Sequence, residues 1–156
     1  MAEGRWLGER EQDAWRSLMA MHADLSQYIE RQLRVRNGLS RADYEVLALL
    51  SEAPDGRLRA FELGEALRWE KSRLSQHLTR MEGRGLVMRE HCPTDQRGTV
   101  AAVTSRGREV IAAAAEPHAA DVRAVLLDHM TPEQLDLVRE LGELVRTRVE
   151  ALEGKT

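Results

Sequence analysis

The 156 residues carry 26 acidic and 23 basic side chains, a formal charge of −3 at pH 7, with 42% hydrophobic and 31% charged content. That is the size of one domain, or of one domain with a helical extension, apolar enough for a core and too charged for a membrane-embedded chain. No run approaches the roughly 18 apolar residues of a membrane span, the first residues lack the apolar centre of a secretion signal, and the lone Cys92 excludes an internal disulfide, so a soluble cytoplasmic protein without a membrane partner is expected.

The first helix is predicted from about Glu9 to Arg36, where Ala14, Leu18, Met21, Leu25, Tyr28 and Val35 approximate a heptad seam widened by Trp15, His22 and Ile29. Asn37-Gly38 supplies its stop. Ser40 then caps a second helix over residues 41–52, with Asp43 in the capping-box position, and Ala53-Pro54-Asp55-Gly56 turns the chain. Residues 57–59 read as a short edge strand. A short helix containing Phe61, Leu63, Ala66 and Leu67 follows, and then a polar helix over 69–82 whose inner face is set by Leu74, Leu78 and Met81 at spacings of four and three.

Residues 86–91 and 100–104 read as antiparallel strands joined by a connection containing Pro93 to Thr99. A helix opening near Ser105 is expected to bend or divide at Pro117, because proline lacks an amide donor and collides with the preceding turn. The last helix is announced by Thr131-Pro132-Glu133-Gln134, a cap, a proline at the first position and a capping-box partner. Leu135, Val138, Leu141, Leu144, Val145, Val149 and Leu152 give it a long apolar face. Together with the first helix this implies a homodimerisation module, since a monomer must otherwise cover both seams internally.

Charge divides unevenly. Residues 1–67 hold 9 basic and 12 acidic groups, residues 68–108 hold 9 and 4, and residues 109–156 hold 5 and 10, giving −3, +5 and −5. A basic centre within an acidic chain marks an anion-facing surface. Its order, a short helix, a polar helix and a hairpin with a basic tip, suits double-stranded DNA: a major groove about 12 Å wide accepts the polar helix while the hairpin clamps alongside. Lys71, Ser72, Arg73, Ser75 and Gln76 are the candidates for base edges and nearby phosphates, and Arg80 is a candidate for phosphate or for a local pair. Arg97 is placed to reach phosphates or a narrow minor groove, with Asp95 shaping the turn. His77 is expected to be structural or exposed.

The stretch Asp95-Gln96-Arg97-Gly98-Thr99-Val100-Ala101-Ala102-Val103-Thr104-Ser105-Arg106-Gly107, with Leu78-Thr79-Arg80-Met81-Glu82-Gly83-Arg84-Gly85-Leu86-Val87-Met88-Arg89, resembles the MarR family of winged helix-turn-helix transcriptional regulators. The resemblance extends roughly from Glu9 to Leu152, with Val103 and Met81 standing where the family often has leucine. It implies that Arg97 serves at the wing tip, that Asp95 steadies it, and that Lys71 through Gln76 face DNA. It further implies a homodimer on a pseudopalindromic operator, often a repressor released by a small molecule or by oxidation. The expected architecture is mainly α with a small antiparallel β wing: a winged helix-turn-helix domain at 39–105, a helical dimerisation module built from 1–38 and 106–153, and a tail at 154–156.

No catalytic constellation is present: the five histidines form no HExxH, Cys92 makes no CxxC, and neither GxGxxG nor GxxxxGK occurs, so no enzyme activity, cofactor or metal is expected. An aromatic or phenolic effector is expected between the dimerisation helices and the winged domain, where Trp15, Met19, His22 and Tyr44 are the candidates. Cys92, near the strand-to-wing junction, is a second candidate sensor if it is accessible and thiolate-like. The alternative is a helical adaptor whose basic middle binds an acidic protein; it gives no reason for a basic hairpin tip after a polar helix.

Overall fold

The structure is a computed structural model and describes residues 6–91 and 98–154. Six α-helices occur among the described residues: α1 (Glu9–Asn37), α2 (Arg41–Glu52), α3 (Ala60–Leu67), α4 (Lys71–Gly83), α5 (Ser105–Val125) and α6 (Pro132–Glu153). Three short strands, β1 (Arg57–Arg59), β2 (Val87–His91) and β3 (Thr99–Val103), form one antiparallel sheet in the order β1-β3-β2. Arg57 pairs with Ala102 and Arg59 with Val100 on one side of β3, and Val87 pairs with Val103 and His91 with Thr99 on the other.

Local chemistry sets the boundaries. Gly38 ends α1 at φ +65°, a left-handed conformation that favours glycine, and its amide donates to the Arg34 carbonyl at 3.0 Å. The Ser40 hydroxyl accepts from the Asp43 amide at 3.0 Å while Asp43 returns a 2.9 Å bond to the Ser40 amide, the reciprocal cap anticipated for α2. Thr131 and Gln134 do the same for α6, at 3.3 and 2.9 Å. Thr104 falls just outside β3 and caps α5: its hydroxyl donates to the Gly85 carbonyl at 2.6 Å and accepts from the Gly107 amide at 3.0 Å.

Of the bend or division expected at Pro117, the division does not occur: α5 runs from Ser105 to Val125 with the proline inside. The defect removes one amide donor, and the alanines at 112–115 that precede it are strong helix formers that hold the turn together.

The chain divides into two compact units, residues 1–118 and 119–156. The core of the first gathers Leu39, Val46, Leu47, Leu50, Leu63, Leu74, Leu78, Met81, Leu86, Val87 and Ala101, all essentially sealed from solvent. It therefore fastens α2, α3 and α4 to the sheet. In the second unit, α6 buries no residue within the single chain, and its Leu137, Val138, Leu141, Leu144 and Val145 are exposed.

Candidate nucleic-acid interface

Helix α4 is amphipathic in the way its sequence spacing requires. Leu74, His77, Leu78 and Met81 are buried, whereas Lys71, Ser72, Arg73, Ser75, Gln76, Thr79 and Arg80 are exposed. All six α4 candidates for DNA contact thus lie on the solvent side. Its first turn contains no acidic residue and its N-terminal amides have no side-chain cap, so their partial positive charge adds to that of Lys71 and Arg73. The turn entering α4 is tightly specified. Arg68 adopts φ +54°, its amide donates to Glu65 at 3.1 Å, and the Trp69 amide donates to Gly64 at 2.9 Å, closing α3 with an arginine where glycine is commoner.

His77 is buried, with about 8% of its surface accessible, and it anchors α4. Its Nε2 lies 3.0 Å from Asp43 Oδ1, at ion-pair distance though without the alignment of a linear hydrogen bond. Arg80 Nη2 is 3.1 Å from Nδ1; a guanidinium only donates, so Nδ1 accepts and the ring proton belongs on Nε2, facing Asp43. Arg84 completes the cluster, with Nη1 donating to Asp43 Oδ2 at 2.6 Å and Nη2 to the Gly38 carbonyl at 2.7 Å. Burial alone would raise the Asp43 carboxyl. His77, Arg84 and the Ser40 amide together outweigh burial and hold it well below the usual carboxylate range.

Sequence reasoning missed this cluster. The available signal was that residue 77 falls on the same helical stripe as Leu74, Leu78 and Met81, with an aspartate replacing the longer glutamate common at the third position of a capping box. Other ion pairs brace the elements around α4. Glu82 accepts from Arg89 Nη2 at 2.8 Å, Nε at 3.1 Å and the backbone amide at 3.0 Å, bonds that draw its carboxyl below the ordinary range and tie β2 to α4. Arg57 reaches Glu90 at 2.8 Å across the sheet. Glu30 on α1 accepts from the Arg41 amide and from Arg34 Nε, both at 2.6 Å, joining α1 to α2.

A groove beside α4 is lined by Arg34, Arg41, Arg68, Arg73 and Arg80, with Trp69, His77, Glu30 and Glu45. Arginines outnumber carboxylates there, which matches a polyanion. Asp95, Arg97 and Cys92 lie outside the described residues, while the strands flanking that segment, β2 and β3, form the antiparallel pair expected of a wing.

A family model described as the MarR family matches residues 37–98. The transcriptional regulator HosA of Escherichia coli O111:H- is 33% identical over 103 residues, covering 66% of this chain and 74% of HosA. The chain belongs to the MarR family of transcriptional regulators. Two solved MarR-family regulators from Streptomyces coelicolor are each 39% identical to it. AbsC covers 96% of this chain and 99% of its own at a TM-score of 0.88, and Sco3205, solved in complex with DNA, covers 97% and 93% at 0.89. The mostly helical fold with a small antiparallel sheet is that of these MarR relatives.

The four effector candidates are less convergent than the α4 set. On α1, Trp15 (54% exposed), Met19 and His22 are solvent-facing. Tyr44 on α2 is half-buried and packs against His118, ring centroids 4.3 Å apart, with burial and Glu52 pushing its phenol up. None of the four lines the groove beside α4, nor a second cleft bounded by Asn37, Leu39, Glu82 to Leu86, Arg106 and Val110. Among the described residues no cluster of metal-ligating side chains occurs, and no helix is long and apolar enough to cross a membrane.

Proposed function

We propose that this MarR regulator is a homodimeric, cytoplasmic repressor that lays its two α4 helices in successive major grooves of a pseudopalindromic operator. The observation that carries the reading is the division of α4, with Lys71, Ser72, Arg73, Ser75, Gln76 and Arg80 exposed over a sealed stripe of Leu74, His77, Leu78 and Met81. Arginine and glutamine address guanine and adenine bidentately, and lysine and serine suit phosphates and either base. Arg97 grips the flanking backbone or minor groove from the wing, steadied by Asp95.

The uncovered apolar residues of α6 and of α1, including Trp15, Met19 and Val35, support a second copy as their cover. In this reading residues 39–105 form the DNA-binding domain, and residues 1–38 and 106–153 supply the dimer. An aromatic or phenolic effector bound near Trp15, Met19, His22 and Tyr44 releases the DNA by favouring a different spacing of the two reading helices.

Selection of random duplex DNA with purified protein tests the reading. The expected product is an inverted repeat with half-site centres about 34–36 Å apart, one helical turn. Retention that is blind to sequence and collapses with salt overturns it in favour of general electrostatic binding. A folded dimer that binds no DNA favours an adaptor for an acidic protein. Titration with aromatic acids and phenols, scored by heat and by DNA release, tests the effector.

A further inference from the structure

Trp69 lies two residues before α4, and Arg73 and His77 follow it at intervals of four residues. The Arg73 Cζ sits 4.3 Å from the centre of the Trp69 ring, and the His77 ring meets that indole edge-on, with centroids 5.2 Å apart and planes at 81°. The indole is therefore in contact with both side chains. Its backbone is fixed by the bond to Gly64, and the imidazole against it is itself clamped by Asp43 and Arg80. From this geometry we propose that Trp69 is a positioning residue for sequence recognition, a platform that presets the Arg73 guanidinium for its base contact. The inference rests on the reading of α4 as the DNA-facing helix.

Stacking uses the face of a guanidinium and leaves its five N–H groups, which lie in the plane, free at the rim. An arginine held this way gives up none of the donors that a guanine O6/N7 pair requires. What it gives up is rotamer freedom, and it gives that up before DNA arrives, so less ordering cost remains at binding. Tryptophan offers the strongest cation–π face of the aromatic residues. Arg73 remains exposed with its guanidinium carbon over the indole, as a residue that both rests on a platform and reaches outward must.

The test uses the best duplex recovered by wild-type selection, together with versions of it altered one base pair at a time. Dissociation constants are measured for wild type, Trp69→Leu, Trp69→Phe, Arg73→Ala and the Trp69→Leu/Arg73→Ala double variant. Trp69→Leu is expected to weaken binding roughly three- to tenfold and to relax discrimination at the same base pair that Arg73→Ala relaxes. Trp69→Phe, which keeps an aromatic face, is expected to restore most of both. In the Arg73→Ala background the leucine substitution is expected to add nothing.

An equal loss from Trp69→Leu with or without Arg73, or wild-type discrimination in Trp69→Leu, overturns the proposal and leaves Trp69 a packing residue. Should Trp69→Leu fail to fold, the wild-type protein still decides by NMR. Arg73 side-chain resonances shifted by the indole ring current both free and on DNA support the platform, and loss of that shift on DNA overturns it. A wild type that selects no preferred sequence overturns the reading of α4 itself, a failure distinct from these.

Discussion

Arg84 Nη1 lies 2.6 Å from Asp43 Oδ2, a contact between residues 41 positions apart that closes the turn after α4 onto the first turn of α2. The same carboxylate bonds the Ser40 amide and faces His77, so a single buried side chain caps one helix and orients another. The exposed side of α4, proposed above to face DNA, is thus aimed from behind by the buried Asp43 and His77.

Asp43→Asn keeps the shape and loses the charge, leaving Arg84 without its counter-ion and the His77 Nε2 proton without a carboxylate to face. Arg84 is partly exposed and regains water, so the expected cost is about 2–3 kcal/mol, below that of breaking a fully buried pair. Thermal unfolding followed by circular dichroism should show a midpoint roughly 5–10 °C lower. An unchanged midpoint would deny the cluster its structural weight.

The pH dependence has a definite sign. The folded Asp43 carboxyl is held below its unfolded value of about 3.9, so its stabilisation is complete above that pH and is lost as pH falls through the lower folded value. Glu30 and Glu82 are shifted in the same direction, the first against the opposing pull of burial and the second chiefly by the Arg89 side chain. Between about pH 6 and 8 these groups should contribute fully and make the urea midpoint no steeper in pH, and the midpoint should decline below about pH 4, with a shallower acid decline in Asp43→Asn.

Gly107→Ala tests the junction of β3 and α5. By propensity alone alanine gains about 1 kcal/mol in a helix. Here a Cβ would collide with the Leu86 carbonyl oxygen and stand 2.8 Å from Val103 Cγ2. Backbone at a capped turn cannot step aside as a flexible side chain can, so a net loss of about 2 kcal/mol is expected from chemical denaturation. A stabilised variant would show that the turn yields.

Arg97→Ala and Arg73→Ala should separate grip from reading. The wing substitution is expected to weaken all sequences alike and to reduce the slope of log K against log salt by about one. The α4 substitution should instead cost about 1–3 kcal/mol chiefly at one base pair. Binding titrations at several salt concentrations, on the selected duplex and its point variants, distinguish the two.

Leu141→Glu places a charge in the exposed apolar face of α6. Light scattering should then report monomer mass at concentrations where the wild type is dimeric. Affinity for an inverted repeat should fall more than about tenfold, because the second half-site no longer binds as part of the same molecule. Dimer mass in the variant would move the interface elsewhere.

Much of this was legible because the signals are local. Leu39-Ser40-Arg41-Ala42-Asp43 gives both the start and the cap of α2, and Leu74, Leu78 and Met81 give the hidden side of α4. The strand–turn–strand pattern pointed to the β2–β3 pair. What escaped depends on partners far apart in sequence: Asp43 with His77 and Arg84, or Glu90 with Arg57. Periodicity reports which residues face inward and is silent on which polar groups meet there. The division anticipated at Pro117 failed for the opposite reason, a strong local rule outweighed by the helix-forming residues around it.

If a second copy covers the bare apolar side of α6, as proposed, abundance becomes a structural variable for this protein. If folding is completed by pairing, heat resistance and operator occupancy both rise with the number of chains per cell, and dilution alone loosens them together. A protein that assembles in this way would carry its own dose sensor, because the law of mass action would act on it directly.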